Sequence, residues 1–298
     1  YSKVFSQKLF ARFLLLYSQY TSELDNNFVE IQSGSEPVRL YRTTNAGVTD
    51  IGSKVQFDYY LSNSTHLKWG IDYTRHTFHP FSTVSNYTTS TNSDAQKLPA
   101  DQLDGYVDAT IQLTPQWQVS PGFRYSLYQV NQQRFLNPEP RLGLNWSLPA
   151  HWTLKGGYAV MNQYVHLLTN NGFGFGYDAW LPSTGKVVPS RNSQQSLGLS
   201  KTFPKVGVEL SLEAYRKNMK NLIDYPDGTN FSGLLAESWD DIVLKNGLGR
   251  VKGVELMVAK NTGRLQGSGA YTLSKSERKF TEVNEGNWFP MKYDRRHQ

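Results

Sequence analysis

Val206-Gly-Val-Glu-Leu-Ser-Leu-Glu-Ala214 places Val206, Val208, Leu210, Leu212 and Ala214 at every second position, with Gly207, Glu209, Ser211 and Glu213 between them. Successive side chains of a strand point to opposite faces, so this stretch predicts a strand with one apolar and one wet face. The pattern recurs on both sides of it. Val254, Leu256 and Val258 alternate with Glu255 and Met257, and Trp152, Leu154, Tyr158 and Val160 with Thr153, Lys155, Gly157 and Ala159. Leu103, Val107, Ala109, Ile111 and Leu113 oppose Asp104, Asp108, Thr110 and Gln112. Ile51, Val55, Phe57, Tyr59 and Leu61 oppose Lys54, Gln56 and Asp58. No stretch of comparable length sustains a 3.6-residue period, so the chain is expected to be all-β.

About twelve strands are predicted, at 4–21, 49–61, 66–79, 101–113, 117–130, 139–148, 151–163, 193–202, 206–219, 250–260 and 264–277, with another beginning at 291–298. Each full strand reaches or approaches the ~9–11 residues needed to cross a bilayer obliquely. The connections alternate. Tight turns sit at 62–65, 114–116, 149–150, 203–205 and 261–263, while 22–48, 80–100, 164–192, 220–249 and 278–290 are long, with a shorter one at 131–138. A transmembrane barrel alternates in this way, with minimal turns on one side and functional loops on the other. A Greek-key sandwich would break the hairpin succession. Tyr17, Tyr20, Tyr59, Tyr60, Trp69, Tyr73, Trp117, Tyr125, Tyr128, Trp146, Trp152, Tyr158 and Tyr271 fall in predicted strands, many near their ends, as interfacial girdles require.

Composition narrows the classes further. A mean hydropathy of −0.53 and the lack of any apolar run near ~18 residues exclude a transmembrane helix, but not barrel strands, whose alternation averages out as polar. No Cys means no disulfide framework and no thiolate nucleophile or metal ligand. The 31 Lys and Arg residues behind the net charge of +6 are scattered, so no nucleic-acid partner is expected. Tyr1-Ser-Lys-Val-Phe5 lacks a leader-peptide pattern, and the chain opens inside one predicted strand and closes as another begins. Because an open edge in lipid leaves amides unpaired, residues 1–298 are expected to be a partial barrel domain, incomplete at both ends.

Asn137-Pro-Glu-Pro-Arg-Leu-Gly-Leu-Asn-Trp146, Glu213-Ala-Tyr-Arg-Lys-Asn-Met-Lys-Asn-Leu-Ile-Asp-Tyr225 and Gly249-Arg-Val-Lys-Gly-Val-Glu255 carry a resemblance to a known family, continued by Gly263-Arg264 and Ala270-Tyr-Thr-Leu-Ser-Lys275. So do Asn287-Trp-Phe-Pro290 and Tyr293-Asp-Arg-Arg-His297. These strings resemble the barrel of TonB-dependent outer-membrane receptors, in particular the SusC-like kind that bears a carboxypeptidase-regulatory-like domain. The match is strongest from Asn137 to His297. The resemblance implies a barrel of about 22 strands, a plug domain that has no counterpart in this chain, and a place in the cell outer membrane. It further implies outer-membrane lipid, TonB and a surface lipoprotein as partners. The expected function is binding of a nutrient (siderophore, cobalamin, glycan or peptide) at extracellular loops for TonB-driven import. The alternatives are a non-energised channel, a barrel scaffold in a larger outer-membrane complex, or an outer-membrane enzyme with an unseen site.

No catalytic, metal or cofactor residue is expected. His76 and His79, three apart on a strand, face opposite sides and cannot share one ion. Gly172-Phe-Gly-Phe-Gly176 lacks the strand–loop–helix context of a phosphate loop. Asp224-Tyr-Pro-Asp-Gly-Thr-Asn230 has oxygens for calcium but reads as a plain turn. Asp104, Asp108, Glu209, Glu213 and Glu255 belong to the polar inner wall rather than to a glycosidase pair. The ligand candidates are loop aromatics: Phe173, Phe175, Tyr177 and Trp180, then Tyr225, Phe231 and Trp239. Such rings stack on sugars, peptides or chelator rings, or else pack the loops on one another.

Overall fold

A 13-stranded antiparallel sheet runs through the chain in sequence order, interrupted once by a separate hairpin. The computed structural model describes residues 1–30, 38–85, 97–170, 177–226 and 239–298. Its strands are β1 (Ser2–Val4), β2 (Leu9–Glu30), β3 (Val38–Ser62), β4 (Thr65–Ser85), β5 (Leu98–Gln112), β6 (Trp117–Val130), β7 (Gln133–Leu148) and β8 (Trp152–Gln163). After the hairpin β9 (Val165–Asn170) and β10 (Tyr177–Pro182) come β11 (Ser190–Phe203), β12 (Val208–Asp224), β13 (Leu244–Lys260), β14 (Gly267–Lys279) and β15 (Phe289–Pro290). One short helix, α1 (Trp239–Ile242), precedes β13. The fold is an all-β antiparallel wall, as expected.

Register sorts the side chains into two faces. On the outer face Leu212 sits between Leu199 and Leu256, and Val107 between Trp69 and Phe123. These positions stay exposed: Leu212 is 49% and Val107 49% accessible. A continuous apolar face of this size is stable only against lipid. The outer column of β5 runs from Leu103, below Asp101, to Leu113 just past the strand's end. That is about 33 Å of strand at ~3.3 Å per residue, or about 23 Å of membrane depth at a ~45° tilt. Near the tight-turn end the outer face gathers rings: Phe57 stacks on Trp69, Trp117 on Trp146, and Lys201 Nζ lies 4.6 Å from the Trp152 ring centroid. An aromatic and cationic girdle of this kind belongs at a membrane interface. Tyr20 and Tyr128 share the opposite face with Val48 and Gln102 and so stand apart from it.

The inner face is ionic. Arg124 bridges Asp104 and Glu139, and Arg141 grips Asp108 through Nε at 2.6 Å and a second nitrogen at 2.5 Å. Lys54 meets Asp72 at 2.9 Å, and Asp50 meets His76 at 2.8 Å. Each pair joins neighbouring or next-neighbouring strands, so the charges brace the wall from within. The Tyr106 ring lies over Gly70 of β4, where a Cβ would meet its hydroxyl at 2.7 Å.

Several strand boundaries differ from expectation; β9 and β10 lie within 164–192, and β12 and β13 extend into 220–249. The predicted strand 4–21 is broken: Phe5 and Ser6 N–H both donate to Leu9 O, and Ser6 Oγ accepts from Lys8 and Leu9 N–H. A side-chain-capped turn therefore splits β1 from β2. Strand enters segments 22–48 and 80–100 where loop was expected: β2 pairs β3 as far as Glu30↔Val38, and β4 continues to Ser85. Beyond the membrane both faces are wet, so the apolar alternation ends while the backbone ladder continues. The connection at 131–138 contracts to a two-residue hairpin in which Asn131 adopts φ 51°, a left-handed conformation that Asn tolerates. Where a strand was expected to begin at 291–298, the structure has a single bridge, Leu273↔His297, flanked by backbone bonds of Gln298 with Thr272 and of Ser274 with Arg296. The short strand β15 falls just before it, at Phe289–Pro290.

Candidate functional site

The long connections lie at the end of the wall opposite the tight turns, and there the structure folds inward. The ladder between β7 and β8 stops at Arg141↔Ala159. Just above, β7 reads Asn137-Pro-Glu-Pro140, and proline brings no N–H to a ladder. Glu139 Oε1 instead accepts Asn162 N–H at 2.8 Å and Asn162 Nδ2 at 3.0 Å. The two strands part, and the chain after β8 turns onto the concave face. Tyr164 stacks on Tyr128 at 4.8 Å and takes a hydrogen bond from Asn137 Nδ2 at 3.0 Å. Phe78, Ala100 and Val130 complete that apolar cluster.

The β9–β10 hairpin then reaches β2, β3 and β4 through β10. Leu168, Ala179, Leu181 and Val187 pack with Ala46 of β3 and with Tyr225, Trp239 and Val243 of the next connection. Polar contacts fasten the two connections together. Thr184 Oγ1 donates to Asp240 at 2.9 Å, and Lys186 Nζ bonds both oxygens of Asp241 at 2.6–2.7 Å. The hydrogen bond from Lys186 holds the exposed Asp241 carboxyl below its ordinary range. Asn221, at φ 58° in the β12 bulge, donates to Pro189 O while its carbonyl accepts from Ser190 Oγ. Inside the hairpin His166 Nε2 lies 2.9 Å from Ser183 Oγ, and burial lowers its pKa to about 4.

Beside this core, on the concave side of the β12–β14 ends, lies a cavity of about 580 Å³ bounded by Asp224, Tyr225, Leu244, Arg278, Asn284 and Phe289. Arg278 pairs with Asp224 Oδ2, and its guanidinium carbon stands 5.1 Å from the Phe289 ring centroid. Tyr225 N–H donates to Asp224 Oδ1 at 2.9 Å.

Tyr225 and Trp239 are thus brought together, 8% and 7% exposed in one core, and Tyr225 also borders the cavity. Trp180 is half-buried, edge-on to Tyr20 at 6.3 Å and 79°. Tyr177 opens β10 opposite Asn170. Phe173, Phe175 and Phe231 lie outside the described residues, as do the glycines at 172–176 and positions 227–230 of the acidic turn. Arg278, Asn284 and Phe289 were not singled out by sequence. Arg278 opens a segment read as a long connection, and Phe289 lies in a string read as scaffold, so nothing local marked them.

The TonB dependent receptor-like beta-barrel family model matches residues 4–293. Among solved structures the chain is similar to the ferric-catecholate import receptor Fiu of E. coli K12, with 14% identity, TM-score 0.65, and coverage of 99% of this chain and 49% of that one. The copper transporter OprC gives 15% identity, TM-score 0.66, and coverages of 96% and 46%. The RagAB peptide transporter gives 10% identity, TM-score 0.58, and coverages of 96% and 36%. The chain therefore spans about half the length of these structures or less. No curated protein sequence matches it.

Proposed function

The chain belongs to the TonB-dependent receptor-like β-barrel family, and from that premise we propose that it is part of an outer-membrane receptor that takes up a nutrient. One observation carries this reading. An exposed apolar outer face backs an inner face of paired charges, and at one end of the described wall the connections fold inward over that polar side. A wall built only to seal or to scaffold has no use for a braced binding mouth on its polar side.

The nutrient belongs to the siderophore, cobalamin, glycan or peptide classes, and the loop aromatics Phe173, Phe175, Tyr177, Trp180, Tyr225, Phe231 and Trp239 form the mouth that holds it. Trp239 does so by packing its core, and Tyr225 from the core edge at the cavity. Import draws its energy through TonB acting on a plug domain, and a surface lipoprotein assists capture. These further points rest on family resemblance alone. The test deletes the gene, assays growth on each nutrient class as the limiting source, and locates the protein by membrane fractionation. Loss of growth on one source, reproduced when the proton gradient is collapsed, supports energised import. Uptake that persists without the gradient makes the protein a passive channel.

A further inference from the structure

The cavity at the β12–β14 ends carries an assignment of ligand chemistry, resting on the receptor reading above. Its volume of about 580 Å³ lies within the ~300–1,000 Å³ of small-molecule sites. Its lining is mixed, with Leu244, Tyr225, Trp288 and Phe289 set around the Arg278 guanidinium, the Asp224 carboxylate and the Asn284 amide. Arg278 is held on two sides, by the Asp224 carboxylate at one edge and by Phe289 against its plane. Its Nε–H edge is buried and has no hydrogen-bond partner. A buried donor of a charged group left unsatisfied is costly, so this edge favours an acceptor brought by a ligand. Asp224 offers little competition as an acceptor, since one oxygen faces Arg278 and the other accepts Tyr225 N–H.

We infer that this cavity binds a carboxylate attached to a ring, the carboxylate on the Arg278 Nε–H edge and the ring against Phe289 and Tyr225. Planar guanidinium–carboxylate pairing supplies orientation, and the aromatic walls supply contact area. A uronic acid and an aromatic acid share this chemistry, and a binding assay separates them.

The experiment titrates the detergent-purified protein with glucuronate and with benzoate, using glucose and benzyl alcohol as neutral counterparts, and follows ligand saturation-transfer NMR. Three variants accompany it: Arg278→Lys, Phe289→Ala, and the double change Asp224→Asn with Arg278→Gln, which leaves no unpaired charge. Heat-dependent gel mobility confirms that each is assembled. Saturable binding of one acid, absent for its neutral counterpart and weakened about tenfold or more in all three variants, is the expected result. Equal binding of acid and neutral probe, no saturable binding of either acid, or variants that bind like the parent overturns the assignment. Membrane location and nutrient-limited growth of the same strains are read separately. A protein in the outer membrane with normal uptake and no acid binding sinks this inference alone, whereas absence from the outer membrane sinks the receptor reading.

Discussion

Leu212→Arg tests the orientation of the whole wall. Leu212 lies on the outer face between Leu199 of β11 and Leu256 of β13, and it is 49% exposed, so little protein packing is lost when it is replaced. What changes is the transfer of a guanidinium into hydrocarbon. The next polar residue on the same column is Arg216, exposed and bonded through Nε to Asn218. Four residues along a strand tilted ~45° put Leu212 about 9 Å below that level. An arginine at mid-membrane costs about 2–4 kcal/mol, and snorkelling recovers part of it from this depth. The expected destabilisation is about 2–3 kcal/mol, a shift of about 30- to 150-fold in the folding equilibrium. Ser211→Arg is the control. Ser211 points inward, opposite Ser200 and Met257 and on the same face as Glu209 and Glu213, where a cation is tolerated. Urea unfolding in lipid vesicles measures both. Equal losses, or a larger loss for Ser211→Arg, would mean that the faces are inverted and would refute the membrane-facing argument.

Three further outcomes follow from the mouth. His166 has a pKa lowered to about 4 by burial, so the unfolded chain binds a proton across about pH 6.5 to 4 that the packed hairpin does not. Stability of β9–β10 therefore falls as pH drops through that window, by about 2 kcal/mol at pH 5; hydrogen exchange of residues 165–182 reads this, and His166→Asn flattens it. Trp239→Ala removes the largest ring from the core shared by the two connections, costing about 3–5 kcal/mol. Amides of β9, β10 and α1 should then exchange faster while those of β5–β7 do not, and uniform destabilisation argues against a separate mouth core. Protease added to intact cells should cleave within 22–48, 80–100, 164–192 and 220–249 and spare the tight turns; cleavage confined to the turns reverses the topology.

The alternation of Val208–Ala214, Leu103–Leu113 and Ile51–Leu61 was sufficient by itself to specify antiparallel strands, their lipid-facing side and most tight turns. Where one face must meet hydrocarbon, every second residue is constrained, and the constraint is local. Outside the membrane it disappears, which is why the outer ends of β2, β3 and β4 read as loops although hydrogen bonding carries them on. The same locality limits what was legible in the site. Tyr225, Trp180 and Trp239 stood out as aromatics in long connections, but their partners are distant in sequence: Tyr20 for Trp180, Ala46 and Leu181 for Tyr225 and Trp239. Only the tertiary structure brought Arg278 against Asp224 and Phe289, because that cavity needs the ends of three strands and the segment after β14 to meet at one level of the wall. Strand identity is set by neighbours two residues apart; the mouth is set by register accumulated across the sheet and by the inward turn after β8, where Glu139 of β7 bonds Asn162, and no single segment encodes it.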